Sequence, residues 1–338
     1  MNKLLLLSFL FLCFSAFAQK NEPLLKPGRV IFYNAENLFD TINDPETQDE
    51  EFLPSSKNVW NTKKYEVKLN HLAKVFAAML DTIQPLVIGM SEVENIKVLQ
   101  DLIAQPALKK FNLGIIHHDS PDERGIDVAF LYNKDVVENV FDATLKIDLG
   151  DDKTRDILYF KANLSEGTDV WFFVNHWPSR RGGPAESDAK RMIASKVLKA
   201  KIDNIYLGEP FARVIVMGDF NDNPTDASLK NMAPVVRDKK LKVPPMVNLM
   251  LPLYDKKEFT LKYKDESDIF DQFIVSVNML DPRNQYFIRH AAASIFSPQW
   301  LLFNHPKYGM IPNRTYASGR WVGGYSDHLP VYFDLVFK

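Results

Sequence analysis

Residues 213–224, RVIVMGDFNDNP, run from an apolar stretch, Val214 to Met217, straight into Asp219, Phe220, Asn221, Asp222 and Asn223. A short run rich in β-branched residues and closed by a turn signal predicts a buried strand. Asp, Asn and Pro are ordinary loop residues. Asp219 and Asn221 therefore either turn the chain or do chemistry at the mouth of a sheet.

Working outward, the same pattern recurs. RVIFYN (29–34) predicts a strand that ends in polar residues, and an acidic loop, DTINDPETQDEEF (40–52), follows. PLVIGM (85–90) predicts a second buried strand running into SEVEN (91–95). GIDVAFLY (125–132), DILYFKANL (156–164), DVWFFVNHW (169–177), IFDQFIVS (269–276) and LPVYFDLVF (329–337) read as further strands. Leu69, Leu72, Phe76, Met79, Leu80 and Ile83 recur at helical spacing. Ile193, Val197, Leu198, Ile202 and Ile205 mark a second amphipathic helix. Strands outnumber helices and several are consecutive, which favours stacked sheets with helices outside over a simple parallel sheet.

Length and composition set the frame. The 338 residues are 46% hydrophobic and 25% charged, the balance of an ordinary globular protein. No repeat, low-complexity run or linker divides them, so one domain is expected from residue 19 to 338. The first eighteen residues, MNKLLLLSFLFLCFSAFA, join a lysine, an apolar run and a small-x-small end, Ala16-Phe17-Ala18. That is the pattern of a secretory signal peptide (1–18), and it predicts an exported protein, periplasmic, envelope-bound or extracellular. The run is short for a bilayer span, and no later segment is apolar enough to span. Cys13, the single cysteine, lies inside this signal, so the mature chain has no disulfide and rests on its core. The net charge of −2 becomes one unit more negative without Lys3, which argues against a strong general nucleic-acid binder but not against local grip on a phosphate.

Strand after strand ends in groups able to ligate a hard cation or move a proton. The ends carry Asn34 and Glu36, Glu92, Asn175 and His176, Asp219 and Asn221, Asp271, and Asp327 with His328. One Asp-x-Asn after a strand is usually a turn, and a lone histidine is usually a satisfied one. Six such ends in one chain go beyond turn chemistry.

GDFN (218–221), SDH (326–328), NAEN (34–37), the Glu of SEVEN and NHW (175–177) together resemble the endonuclease/exonuclease/phosphatase superfamily, the deoxyribonuclease I-like group. The motifs stand in the family's order, and the resemblance spans Arg29 to the C-terminus. It implies a four-layer α-β-β-α sandwich, two mostly antiparallel sheets flanked by helices. It also implies divalent-metal-dependent hydrolysis of a phosphoester by water. On that match Asn34 and Glu92 hold the metal with Glu36 and Asp327 as helpers, and Mg²⁺ is the expected ion, with Mn²⁺ or Ca²⁺ as alternatives. A hard cation suits oxygen ligands, and the absence of cysteine excludes a thiolate site. His328 pairs with Asp271 to handle a proton, and His176 suits protonation of the leaving oxygen. Asp219 orients water and the Asn221 amide addresses a phosphoryl oxygen.

Alternatives stand beside several of these roles. Glu36 is either a ligand or a solvated loop acid, and His176 either acts or packs beside Trp177 and Pro178. Arg124 belongs to a segment near the site, in which Asp127 supports a ligand; Asp268 reads as a turn residue. Arg180 and Arg181, in SRRGGPAESDAKR, either grip substrate phosphate or form a basic surface loop. Tyr316, in RTYASGRWVGGYSDH with Arg314 and Arg320, either stacks on a base or sugar or packs the loop. Ser91 stands where the family often has Gln before the metal-binding Glu. A cysteine-free mature chain disfavours the inositol 5-phosphatase branch, and the lack of an apolar hairpin disfavours the sphingomyelinase branch. The expected substrate is a phosphodiester, DNA or RNA, cut by a monomeric endonuclease; a phosphatase or phospholipid-type diesterase is the alternative.

Overall fold

The computed structural model describes residues 26–164, 167–233 and 246–337. The expected signal peptide lies outside the described residues. Two sheets form the centre. In the first, strands run in the order Tyr286–Ile288, Val331–Phe337, Lys26–Leu38, Gln84–Val93, Asp127–Asn133, Leu113–His117, with Ser294–Ile295 also paired to Val331–Phe337. In the second the order is Val137–Leu145, Ile157–Leu164, Thr168–His176, Val214–Asp219, Asp271–Ser276, Met246–Asn248. Each sheet contains one parallel pair, Lys26–Leu38 with Gln84–Val93 and Thr168–His176 with Val214–Asp219; all other pairings are antiparallel.

Parallel neighbours need a crossover, and a helix supplies it in both cases. Thr62–Met79 links the first pair and Pro184–Gly208 the second. Asn61 caps the first helix, its Oδ1 accepting from the Lys64 amide at 3.1 Å. Leu69, Leu72, Phe76 and Met79 are buried as the spacing predicts, but the helix ends at Met79, and Leu80 and Ile83 are buried beyond it. In the second helix the buried stripe runs through Ala194, Leu198, Ile202 and Ile205; Ile193, expected on that face, is exposed because it lies one residue off the stripe.

The sheets face one another. Phe32, Phe130, Phe160, Phe172, Met217 and Phe273 belong to the core between them. Residues of opposite parity point outward: Ile31 and Tyr33 pack under Thr62–Met79, Val214 and Val216 under Pro184–Gly208. A strand covered on both faces reads as an unbroken apolar run, which is why RVIVM and RVIFY show no alternation. Gly89 lets the sheets approach, since a Cβ there would lie 2.4 Å from the Met217 sulfur. The result is the expected four layers, helix, sheet, sheet, helix. Among the described residues no helix is long and apolar enough to cross a membrane.

Candidate active site

The topology brings chemistry to one rim. In the second sheet His176 is in register with Asp219, and Asp219 with Asp271, so three ionisable side chains stand abreast on adjacent strands. In the first sheet Asn34 is in register with Ser91. Beyond Ser91 the ladder slips: Ser91 pairs with Val128 and Val93 with Asp127, leaving Glu92 as a bulge with φ 57°. A bulge re-aims a side chain, and here it turns Glu92 toward Asn34. Glu36, Asn37 and Asn221 also have positive φ, 50°, 58° and 50°. Such backbone is unfavourable for residues other than glycine and clusters where the surrounding fold imposes it.

Asn34 joins the two sheets. Its Nδ2 donates to Asp219 Oδ2 at 3.0 Å and to Glu92 Oε1 at 3.3 Å, and its Oδ1 accepts from the Glu36 amide at 2.8 Å. His176 Nε2 stands 3.7 Å from Asp219 Oδ2 and 3.8 Å from Glu92 Oε1. His328 Nε2 stands 3.7 Å from the same Asp219 oxygen and 4.0 Å from Asp327 Oδ1, while its Nδ1 donates to Asp271 Oδ2 at 2.7 Å. The SDH turn is fixed by its serine: Ser326 Oγ donates to the Asn34 carbonyl and accepts from the His328 amide. Asn34, Glu92, His176, Asp219, Asp271, Asp327 and His328 thus form one cluster.

Two histidines in one cluster have opposite character. Burial pushes His176 well below its usual value, and the charges of Arg155 and Arg124 push it further, so the ring is neutral. Burial would also lower His328, but the carboxylates of Asp271 and Asp219 outweigh it and hold the ring protonated. A neutral His176 has a single N–H to direct, whereas a protonated His328 has a proton to give. Asp219 is raised to about 6 by burial, with Asp271 adding to the rise and His328 opposing it.

The donor set fits a divalent cation. Asp219, Asp271 and His328 offer ligand atoms all within 4.8 Å of one another. Asp271 Oδ1 is buried without a hydrogen-bond partner among the described residues, and so is His176 Nδ1. Crowded, desolvated carboxylate oxygens suit a hard ion, and one imidazolium does not balance Glu92, Asp219 and Asp271 together. Glu92 and Asp219 are the groups that would hold it, tied together by the Asn34 Nδ2, and there it would draw negative charge from a phosphoryl oxygen.

Other expected residues lie near the cluster with different duties. Glu36 is buried; its Oε2 accepts from the Thr315 amide at 2.6 Å and lies 4.0 Å from Lys68 Nζ, and burial, then Asp327, raises it to about 7. It is buried, so it is not a solvated loop acid. The Asn221 amide donates to the Trp177 carbonyl at 3.0 Å, which orients the turn. Arg180 is committed to the same turn: its Nε donates to the Asn221 carbonyl at 2.9 Å and its guanidinium pairs with Asp226 at 2.8 Å. Arg181, the next residue, is exposed. Arg124 is half-exposed, 3.8 Å from Asp122, and its charge is felt at His176. Tyr316 packs between Trp60 and Trp321. Asp127 supports its own loop, accepting from Ser120 and pairing with His117. Asp268 closes a short strand, Glu266–Asp268, and accepts from Asn223; the turn precedes it.

Two buried cations complete the support. Arg155 donates to the carbonyls of His176 (3.2 Å) and Trp177 (2.8 Å) and to Asp122 (3.0 Å), pinning the end of the His176 strand. Lys68, wholly buried on the helix, donates to Thr315 Oγ1 at 2.6 Å and the Tyr325 carbonyl at 2.7 Å. Sequence reading passed over both.

The model of the Endonuclease/Exonuclease/phosphatase family matches residues 29–336. The chain belongs to that family. Members of the endonuclease/exonuclease/phosphatase family are phosphoester hydrolases that typically use divalent metals. No curated protein sequence matches the chain. Among solved structures, a family protein from Bacteroides thetaiotaomicron is similar with a TM-score of 0.57 at 15% identity, over 93% of this chain and 99% of that one. The mannosyl-6-phosphatase of the same organism gives 0.56 at 15%, over 92% and 100%. D. rerio TDP2 complexed with single strand DNA product gives 0.55 at 14%, over 91% and 98%. At these identities the likeness is one of fold.

Proposed function

We propose that the chain is an exported, divalent-metal-dependent phosphodiesterase that hydrolyses nucleic acid by attack of water on phosphorus, with Mg²⁺ as the ion. The observation that carries this reading is the convergence of six separate segments on one oxygen-rich cluster beside a neutral and a protonated imidazole. The metal draws charge from the phosphate when bound. Asp219, buried and raised, accepts a proton from water; His328, held protonated by Asp271, donates one to the departing oxygen or bonds a phosphoryl oxygen. His176 directs its N–H toward the phosphate from the other side.

The test is hydrolysis by the mature protein, residues 19–338, of linear and circular DNA, RNA, p-nitrophenyl phosphate and a choline phospholipid, each with Mg²⁺, Mn²⁺, Ca²⁺ or chelator. Metal-dependent cleavage of nucleic acid supports the reading. Cleavage of the monoester or phospholipid alone moves the substrate and keeps the centre. Metal-independent cleavage, or full activity in His328→Ala, refutes the centre itself. Export is tested by fractionating cells that express the full chain: a shortened protein outside the cytoplasm is expected, and a full-length cytoplasmic one overturns it.

A further inference from the structure

A cavity of about 380 Å³ opens beside the cluster. It adjoins the cluster, because Asn37, part of its wall, donates its backbone N–H to Glu92 Oε2 at 3.0 Å. Glu36 forms a second part of that wall, Glu50 and Glu51 of the short Glu50–Phe52 helix a third, and Tyr316 a fourth. The walls are anchored from behind. Phe52 stacks on Phe39 with ring centroids 4.0 Å apart, Trp60 Nε1 donates to the Asp40 carbonyl at 2.8 Å, and the Tyr316 ring lies 5.4 Å from Trp321.

The lining has a definite chemistry. Three glutamates face one lysine, Lys57, and no arginine lines the space. Glutamates accept hydrogen bonds from hydroxyls, amides and lysine donate to them, and an aromatic face covers a C–H surface. The carboxylates of Glu50 and Glu51, which are exposed, repel a phosphate, and repulsion of the wrong ligand is a source of specificity. The volume lies at the small end of ligand pockets, which run from about 300 to 1,000 Å³. That is room for one ring and its substituents.

We propose that this cavity is a subsite for an uncharged sugar or similar polyol esterified to the phosphate at the centre, and that it refuses a second phosphate. The inference rests on the hydrolytic reading above and narrows it: a terminal linkage is preferred to one inside a long polyanion.

The experiment uses the mature protein with Mg²⁺ and three substrates: thymidine 5′-(p-nitrophenyl phosphate), bis(p-nitrophenyl) phosphate, and covalently closed circular DNA, which has interior linkages alone. Two variants are compared, Tyr316→Ala and the surface pair Glu50→Lys/Glu51→Lys, each checked for fold by circular dichroism. Wild type is expected to cleave the nucleoside ester at least about tenfold more efficiently than bis(p-nitrophenyl) phosphate, which has the same leaving group and no sugar, the scale of one aromatic contact. Tyr316→Ala is expected to lower the ratio of kcat/KM between nucleoside ester and bis(p-nitrophenyl) phosphate by about tenfold, chiefly through KM. The lysine pair is expected to close most of the gap to circular DNA and make that activity strongly salt-dependent. A wild-type preference for the circle, or ratios unmoved in the lysine pair, overturns the subsite while leaving the hydrolytic centre standing. Failure of the folded wild type to cleave any of the three overturns the reading of the centre and this inference with it.

Discussion

Replacing Lys68 by methionine tests how the fold holds the site. The ammonium is wholly buried, gives hydrogen bonds to Thr315 Oγ1 and the Tyr325 carbonyl, and lies 4.0 Å from the Glu36 carboxylate. At that distance and an effective dielectric of about 20, the attraction is about 4 kcal/mol. Methionine fills the same space but leaves Glu36 buried without its cation and two oxygens without a donor, and breaking a buried pair costs about 3–5 kcal/mol. Lys68→Met is therefore expected to lose about 3–5 kcal/mol in urea unfolding followed by tryptophan fluorescence, with chelator present, at a pH well above 7 where Glu36 is charged. Glu36→Gln removes the stranded charge, so the double variant Lys68→Met/Glu36→Gln is expected to recover at least about 2 kcal/mol over Lys68→Met.

The sign of the pH dependence follows. Glu36 is raised from 4.5 to about 7 by burial and Asp327, so its neutral form favours the folded state. The stability this confers is complete below about pH 4.5 and is lost as pH rises through about 7. Lys68→Met steepens the loss, and Glu36→Gln abolishes it. A cost below about 1 kcal/mol for Lys68→Met, or strict additivity in the double variant, refutes the claim that this pair clamps the segment leading to Asp327 and His328.

Three further outcomes are expected. Arg155→Met removes the close partner of buried Asp122, leaving it Arg124 at 3.8 Å, and frees the carbonyls of His176 and Trp177, so it costs about 3 kcal/mol in unfolding and at least about tenfold in kcat; a neutral result shows that the His176 strand needs no pin. Gly218→Ala places a Cβ 2.4 Å from the Asn175 carbonyl oxygen, where φ is 159°, and is expected to lower stability by about 1–3 kcal/mol through overpacking; wild-type melting would show that the strands part freely. Asp271→Asn removes the carboxylate that holds the His328 proton, so kcat falls by about 10²–10⁴ and the alkaline limb of the kcat/KM profile moves to lower pH. An unmoved limb assigns that limb to another group.

The sequence and the structure agree where burial writes itself into residue type. Apolar runs ending in acids mark strands that reach the rim, and because the two central pairs are parallel, four such runs end together. Asp271 joins them by pairing in register with Asp219, which its place in IFDQF already suggested. The helix Ile96–Ile103 went unread although its signal was present: Asn95, taken as the end of an acidic strand terminus, accepts from the Lys97 and Val98 amides as a helix cap. Val137–Leu145 is an edge strand with Val140 and Phe141 exposed, so it has no buried stripe to announce it.

The supporting charges were the least legible part. Lys68 lies among the apolar positions of its helix, where a cation reads as an interruption of the stripe; its partners, Glu36 on the first strand and Thr315 and Tyr325 near the end of the chain, lie on other elements. Arg155 precedes its strand in a polar loop that resembles any other. Arg180 suits phosphate or a surface loop by its residue type, and the structure gives it Asp226 and the Asn221 carbonyl as partners, which spacing does not announce. Spacing reveals which residues share a face, but not which oxygen a long side chain will find.

The strand that begins the described chain, Lys26–Leu38, lies between Gln84–Val93 and the closing strand Val331–Phe337. A growing or threading polypeptide accordingly carries Asn34 and Glu92 for almost its entire synthesis with neither His328 nor a final neighbour for that strand. The proton-handling pair is complete only when the last segment docks and brings His328 to Asp271 and Asp219. A chain cut short before that segment would thus keep its carboxylates and lose the imidazole that stands between them.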